Sequence, residues 1–452
     1  MQSNFQCQPY KPRNSSTNYD AQSSNVGYYL KRKLAKSVYG FLYKGVVIKR
    51  RKVLAGEEFI LEKQIKHSSK VDFVYANKAS CGKTSASALA SIVEDFSCQP
   101  PQIIAQTANI QTSVEQLNDN SKDIYIWENT GQSVVIKISS WARIQRIRGK
   151  HLEDPVKEIQ ALQLLGGYHK NIISNIEALQ DDDNLYCVLP FCTHGDLYGV
   201  VQKEISGRGR LCEKAGKYWF SKILKSLHHL QLKGICHRDL ALENILVDGR
   251  EIKLIDFGMA LRVPHSDPRR MNDKDWTVDV SEGGIRRLIV GQGQGGKWDY
   301  MAPEIVSRES SFDGFAIDLW AAGVILYIML MGHKPFHWAH SSDASFYQLS
   351  VEGRLKQMLT RCNIQLSDDA CDLLQNMLWK CPRRRFTLSQ VMEHRWMKNE
   401  TRMDEIDHLP EKATSSIASS IEDNRSQSIN ENPCRVKLSR IWPRFTKKSK
   451  EP

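Results

Sequence analysis

The residues best suited to chemistry gather in one stretch of the chain. His237-Arg238-Asp239 is followed by Asn244, and Asp256-Phe257-Gly258 comes shortly after. Carboxylates and a carboxamide are hard oxygen donors, fitted to a hard divalent cation. Upstream, Val134-Val135-Ile136-Lys137 sets a lysine in an apolar run, and Glu158 shares an apolar periodicity with Val156, Ile159 and Leu162. Such a set could hold a divalent cation beside a lysine ammonium. The 11 cysteines form no C-x-x-C pair, which argues against a zinc ribbon or a redox dithiol.

These groups need elements to hold them. Ile124-Tyr125-Ile126-Trp127, a turn at Asn129-Thr130-Gly131, then Val134-Val135-Ile136 reads as a β-hairpin. Asp154-Pro155 is a helix start, with Asp as N-cap and Pro in the first turn. Asp248-Gly249 between Ile245-Leu246-Val247 and Ile252–Ile255 predicts a tight hairpin. After Ser311 the pattern is largely helical to about 397. The apolar run Leu319–Gly332 is too short to span a bilayer comfortably and reads as a buried core helix.

The chain has 452 residues, 41% hydrophobic and 25% charged, which excludes a fully disordered chain, a collagen-like fibre and a multi-span membrane protein. A net charge of +12 permits anionic partners and selects none. No signal peptide or lipidation signal is visible, and an intracellular location, cytoplasmic and/or nuclear, is expected. No integral membrane segment is expected. The oligomeric state is left open.

The run His237–Asn244, followed by Asp256-Phe257-Gly258 across the Asp248-Gly249 hairpin, strongly resembles the catalytic and metal-binding loops of eukaryotic protein kinases. Other landmarks fall in order. Val134–Lys137 looks like the lysine strand, Glu158 like its helix partner, and Asn184–Leu189 like the strand leading to the hinge. Met301-Ala302-Pro303-Glu304 looks like the end of the activation segment. Asp318, Trp320, Pro335-Phe336, Pro382, Arg385, Thr387, His394 and Trp396 match the C-terminal lobe. The resemblance covers about 28–398. It favours the serine/threonine branch, closest to the calmodulin-dependent-kinase-like group.

The fold it implies is α+β and bilobal, with a small mostly-β lobe carrying one regulatory helix and a large mostly-α lobe. The implied layout is a disordered tail at 1–27, a small lobe at 28–190 with an insertion at about 50–122, a large lobe at 191–398, and a disordered basic tail at 399–452. ATP and Mg2+ are the implied cofactors, with protein substrates and an upstream activating kinase as partners; nucleic acid is not expected.

The resemblance also implies roles. Asp239 aligns the substrate hydroxyl as catalytic base; Asn244 and Asp256 hold the metal; Lys137, oriented by Glu158, holds the α/β-phosphates. Leu34, Ala35, Gly40, Leu42, Val135, Leu189, Pro190, Cys192, Asp196 and Leu246 line the nucleotide, with Leu189 as gatekeeper and the backbone of Pro190 and Cys192 reading adenine. Leu162, Ile176, Phe257 and His237 stack as a spine anchored by Asp318. Glu304 and Arg385 form a structural ion pair.

The sequence departs from the family in several places. The phosphate-covering loop aligns to Ala35-Lys36-Ser37-Val38-Tyr39-Gly40-Phe41-Leu42, with one glycine of three, so a weakened nucleotide grip is expected. The long interval from Leu42 to Lys137 implies the insertion. Lys49 as the true strand lysine stands too close to Leu42, and no helix start follows it. Gly82-Lys83-Thr84 is discarded as a P-loop because Asn77 replaces its first glycine. Ala241 stands where serine/threonine kinases carry lysine, and Lys297 where they carry threonine. Lys297 is therefore a candidate catalytic replacement.

The activation segment is long. Arg238 implies a phosphate-responsive pocket, yet no Ser, Thr or Tyr occurs at 282–299, which leaves Thr277 and Ser281 as phosphosites. The basic, aromatic tail Arg435–Lys450 fits either a nuclear-import or acidic-surface segment or a solvated tail. Two alternatives stay open: a pseudokinase scaffold, and tyrosine or dual specificity suggested by Ala241 but opposed by Glu243, where tyrosine kinases place arginine.

Overall fold

Asp154 does cap a helix: its carboxylate accepts the Val156 N–H at 2.9 Å, and Pro155 opens the first turn. That helix belongs to a computed structural model that describes residues 26–52, 60–67, 70–77, 103–105, 125–167, 169–266, 276–278 and 285–398. Most of the expected 1–27 tail, most of the insertion including Gly82–Thr84, Ser281, and the 399–452 tail with Arg435–Lys450 lie outside the described residues. The chain divides into two compact units, Met1–Arg32 with Gly45–Ser133, and Lys33–Lys44 with Val134–Pro452. Strands β1 (Val26–Lys36), β2 (Gly40–Lys52) and β6 (Tyr125–Ser140) have residues in both.

In the first unit, β3 (Ile60–His67) and β4 (Lys70–Asn77) form an antiparallel hairpin with register from Ile60↔Asn77 to His67↔Lys70. β5 (Ile103–Ala105) pairs antiparallel with β1, and β4 runs parallel to β6 through Tyr75↔Trp127. The sequence reading assigned no structure to these insertion strands.

The hairpin expected at 124–136 is instead one continuous strand, β6. Asn129 Oδ1 accepts the Gly131 N–H at 2.9 Å, and Thr130 Oγ1 accepts the Gln132 N–H at 3.3 Å. Gly131 has φ +78°, and Thr130 donates to Val47 O at 2.8 Å. These residues make the local bonds of a turn, but the strand resumes its direction after them.

In the second unit the sheet order is β1, β2, β6, β8 (Asn184–Pro190), β7 (Glu177–Gln180). β6 and β8 are antiparallel with Val134↔Pro190 and Lys137↔Cys187 in register. Helices α1 (Trp141–Ile147) and α2 (Pro155–Leu165) follow β6.

The large lobe begins with α3 (Leu197–Arg208) and α4 (Glu213–Leu232). Next come β9 (Ile235–Cys236), β10 (Ile245–Asp248), β11 (Glu251–Leu254) and β12 (Leu261–Arg262). β10 and β11 are the hairpin expected around Asp248-Gly249, and Gly249 has φ +60°. The short helix α5 (Pro303–Val306) precedes α6 (Gly314–Met331).

α6 is apolar apart from Asp318 and long enough to cross a membrane by composition, yet all of it is buried within the protein. It is the core helix the run Leu319–Gly332 predicted. Asp313 caps it through Phe315 N–H at 2.9 Å, and Gly332, at φ +78°, ends it. α4 lays Trp219, Phe220, Ile223, Leu227 and Leu230 into the same core, and Gly216 lets it pass close to Leu330. Arg385 forks onto Glu304 at 2.8 and 2.7 Å, both side chains buried.

Candidate active site

Strand alternation turns Lys137 inward from β6, and the first turn of α2 does the same for Glu158. Their contact, Nζ to Oε2, is 2.5 Å, and both residues are buried. Burial works against the lysine charge, but Glu158, Asp256 and Glu153 outweigh it and push the ammonium up. Lys49, the alternative, is exposed on β2.

Glu153 is a residue the sequence reading missed. It is buried with its Oε1 3.9 Å from Lys137 Nζ, and that oxygen accepts no hydrogen bond. Burial raises its carboxyl to about 7; Lys137 opposes the rise, and Asp256 and Glu158 add to it. Standing just before a helix cap, it carried no signal in one dimension. Its burial comes from Gly258, where a Cβ would lie 2.6 Å from Glu153 Cγ.

The loop beginning at His237 hangs from α6. Asp318 accepts the His237 N–H at 2.6 Å and the Arg238 N–H at 2.9 Å. Burial lifts the Asp318 carboxyl to about 7 against those two bonds. Arg238 and Asp256 both sit at φ +68°, a left-handed backbone that non-glycine residues adopt at some energetic expense and that clusters at functional sites. His237 is buried, bonds the Ile255 carbonyl at 3.0 Å through Nε2, and lies 4.9 Å from Phe257 ring to ring.

The predicted spine needs one correction. Leu162, Phe257 and His237 are buried, but Ile176 is 40% exposed and stands outside that core. It immediately precedes β7, in phase with the exposed Ala178 and Gln180 rather than with the half-buried Glu177 and Leu179.

Asn244 Nδ2 donates to the Asp239 carbonyl at 2.7 Å and to Asp239 Oδ2 at 2.8 Å. These bonds aim its amide oxygen away from Asp239. Lys297 meets the same carboxylate twice, by its backbone N–H to Oδ1 at 2.7 Å and by Nζ to Oδ2 at 3.2 Å. Ala241, two residues after Asp239, is fully buried. Among the described residues no cluster of three His, Cys, Asp or Glu side chains could hold a metal by itself. Asp256 and Asn244 together suit Mg2+, which takes one or two protein oxygens and completes its shell with phosphates and water.

Of the predicted nucleotide-lining residues, Leu34, Ala35, Leu42, Val135, Leu189, Pro190, Cys192 and Leu246 are half-buried, as the walls of an open cleft would be. Val135 pairs with Leu189 across β6 and β8, and Leu246 bridges to Asp196. Asp196 also caps α3, accepting the Gly199 N–H at 2.8 Å, so one of its oxygens is engaged. The Cys192 thiol is pushed up to about 11, first by burial and then by Asp248.

The glycine-poor loop is a tight hairpin: the Ser37 N–H reaches Gly40 O at 2.9 Å, and the Gly40 N–H returns to Ser37 Oγ at 3.1 Å. Gly40 is required, since a Cβ there would lie 2.0 Å from Ile138 O. Tyr39 was not foreseen as a structural residue. It is 2% exposed and donates its hydroxyl to the Glu153 carbonyl, tying the hairpin tip to the approach of α2.

The long activation segment is structured where described. β12 pairs with β9, and His265–Ser266, Trp276–Val278 and Ile285–Arg287 form a three-stranded antiparallel sheet. Thr277 lies in that sheet opposite Arg286. Ile289–Val290 pairs with Ser311–Phe312, and the Gly291 N–H bonds Ser310 O at 2.7 Å. Arg238 donates to Gln292 Oε1 at 3.1 Å, so a carboxamide stands against the arginine expected to read a phosphate.

A small β lobe with a buried lysine–glutamate pair, joined to a helical lobe whose apolar core helix suspends an Asp/Asn loop, is the architecture of a protein kinase. The model of the protein kinase domain family matches residues 124–397, more than half of the chain, and the chain belongs to that family. The β1–β2 hairpin precedes that match. Similar proteins include calcium-dependent protein kinase 29 of Arabidopsis thaliana, 34% identical over 255 residues, covering 56% of this chain and 42% of that protein. Calcium-dependent protein kinase 12 of Oryza sativa subsp. japonica is 33% identical, with 56% of this chain and 42% of that protein covered. CDPK-related kinase 5 of Arabidopsis thaliana is 31% identical, with 60% and 40% covered. The chain spans about two-fifths of the length of these curated relatives.

Proposed function

We propose that this chain is a serine/threonine protein kinase that transfers the γ-phosphoryl group of ATP to a protein hydroxyl. The observation that carries the reading is the 2.5 Å Lys137–Glu158 pair, kept together with Asp239, Asn244 and Asp256 in one site. A relieved scaffold would have no reason to hold a buried charged pair in register, because such a pair is costly to desolvate. The names of the similar kinases support the same class.

In this reading Lys137, fixed by Glu158, binds the α/β-phosphates. The half-buried walls from Leu34 to Leu246 hold the nucleoside, with Leu189 at the back and the backbone of Pro190 and Cys192 at the adenine edge. Asp256 and the Asn244 amide oxygen hold Mg2+, which supplies charge neutralisation along the triphosphate. Asp239 accepts a hydrogen bond from the substrate hydroxyl and aligns its oxygen with the γ-phosphorus. Protein substrates and an upstream activating kinase are the partners. An intracellular location, cytoplasmic or nuclear, is part of this proposal.

Radiolabelled ATP offered with a mixed peptide library, followed by phosphoamino-acid analysis, tests this. Phosphoserine and phosphothreonine are expected. Phosphotyrosine, or no transfer, refutes it. Asp239→Asn is expected to bind nucleotide normally and to lose transfer by orders of magnitude.

A further inference from the structure

We propose that Lys297, carried by the activation segment, is a catalytic residue whose ammonium group supplies the transferring γ-phosphoryl with the positive charge that Ala241 cannot. The inference rests on the kinase reading and deepens it. Two departures from the family bear on Asp239. The position that resemblance assigns to a lysine holds a buried methyl group, and the position assigned to a threonine holds a lysine whose Nζ lies 3.2 Å from Asp239 Oδ2.

The Lys297 side chain is 28% exposed, so it is neither sealed in the core nor adrift in solvent. Its backbone is fixed by the 2.7 Å bond from its own N–H to Asp239 Oδ1. Lys137, fixed by Glu158, is assigned to the α/β-phosphates. Lys297 is thus the cation held where the hydroxyl and the γ-phosphoryl must meet, at Asp239.

The glycines around Lys297 make this approach sterically feasible. Gly296 has φ +94°, and a Cβ on it would lie 2.7 Å from Arg238 O and 3.3 Å from Asp239 Oδ1. A Cβ on Gly295 would lie 2.5 Å from both Leu152 and Met259 side-chain atoms. The Gly295 contacts are with side-chain tips, but a side chain at Gly296 would meet backbone at a positive φ and would lift the segment off the catalytic loop, carrying Lys297 away with it. The glycine run is a closely packed device for bringing a lysine to the aspartate.

In the transfer step the substrate oxygen bonds to the γ-phosphorus as the bond from that phosphorus to the β,γ-bridging oxygen breaks. ADP leaves with the bonding electron pair, and the hydroxyl proton passes to Asp239. Lys297 keeps its own proton and stabilises charge on the equatorial oxygens. One such electrostatic donor is commonly worth about a few hundredfold in rate.

The test uses the full chain, MgATP and a peptide that the parent phosphorylates. Lys297→Ala is expected to cut kcat by about a hundredfold or more. Its nucleotide affinity, read with a fluorescent ATP analogue, and its melting temperature should stay near the parent's. Lys297→Arg should keep much of the rate, and Lys297→Ala combined with Ala241→Lys should regain part of it. Parental turnover by Lys297→Ala overturns the proposal. So does failure of both Lys297→Arg and the double variant to turn over better than Lys297→Ala. A structural role would lower melting temperature and affinity with turnover, which also overturns it. No transfer by the parent instead refutes the kinase reading itself.

Discussion

Replacing Lys137 by methionine removes the positive charge paired with Glu158 while keeping most of the volume of the side chain. The structure sets the size of the effect. The pair is 2.5 Å apart with side-chain exposures of 9% and 5%, so solvent can do little to relieve the carboxylate left behind. Breaking such a buried pair from one side costs about 3–5 kcal/mol. In a domain of this size that lowers the melting temperature by on the order of 10 °C.

The penalty is pH-dependent. Burial raises the Glu158 carboxyl, and Lys137 pulls it back. In Lys137→Met the raised value is no longer opposed, so the folded state favours the protonated acid. Stability then falls as pH rises above the ordinary carboxyl range. The gap between parent and variant should widen from pH 5 to pH 8. Lys137→Met with Glu158→Leu removes both charges and should recover most of the loss. Differential scanning fluorimetry across pH reads all three proteins. A double variant as unstable as Lys137→Met, or a gap that narrows with pH, would refute the reasoning.

Two further outcomes follow from close contacts. Gly40→Ala should lower melting temperature, by the equivalent of about 1–3 kcal/mol, and weaken nucleotide binding, because its Cβ meets the Ile138 carbonyl at 2.0 Å and must displace backbone; unchanged melting and nucleotide titration would contradict the tight hairpin. Glu153 has a folded value of about 7 against an ordinary 4.5, so it contributes stability below pH 4.5 that is lost as pH rises toward 7. Glu153→Gln should flatten the melting profile in that window, and a profile that keeps its slope would show that Glu153 is not the group responsible.

What could be read from the sequence was what local chemistry decides. Asp154-Pro155 ahead of an apolar periodicity is a cap and a first turn, and Asp248-Gly249 between two apolar runs closes a hairpin with little help from elsewhere. The Lys137–Glu158 pair was legible through the family resemblance, since nothing local to either segment names the other. Asn129-Thr130-Gly131 misled for the complementary reason: the same side-chain bonds that make a turn can make a kink, and the neighbouring strand, not the tripeptide, chose between them. Ile176 failed because burial just outside a strand follows from packing. Glu153, Tyr39 and Gln292 were missed because each is defined by what lies against it, respectively Gly258, the approach to α2, and Arg238. For Tyr39 one signal existed: an aromatic at a hairpin tip beside a single glycine.

The half-buried Cys192 has a consequence for pharmacology. A cysteine beside the expected adenine edge invites electrophilic inhibitors, whose attachment requires the thiolate. With its thiol at about 11, Cys192 is ionised in only about one molecule in ten thousand at pH 7. An acrylamide placed against it would wait on that rare state, so selectivity for this hinge would have to come from long residence of the reversible complex rather than from warhead reactivity.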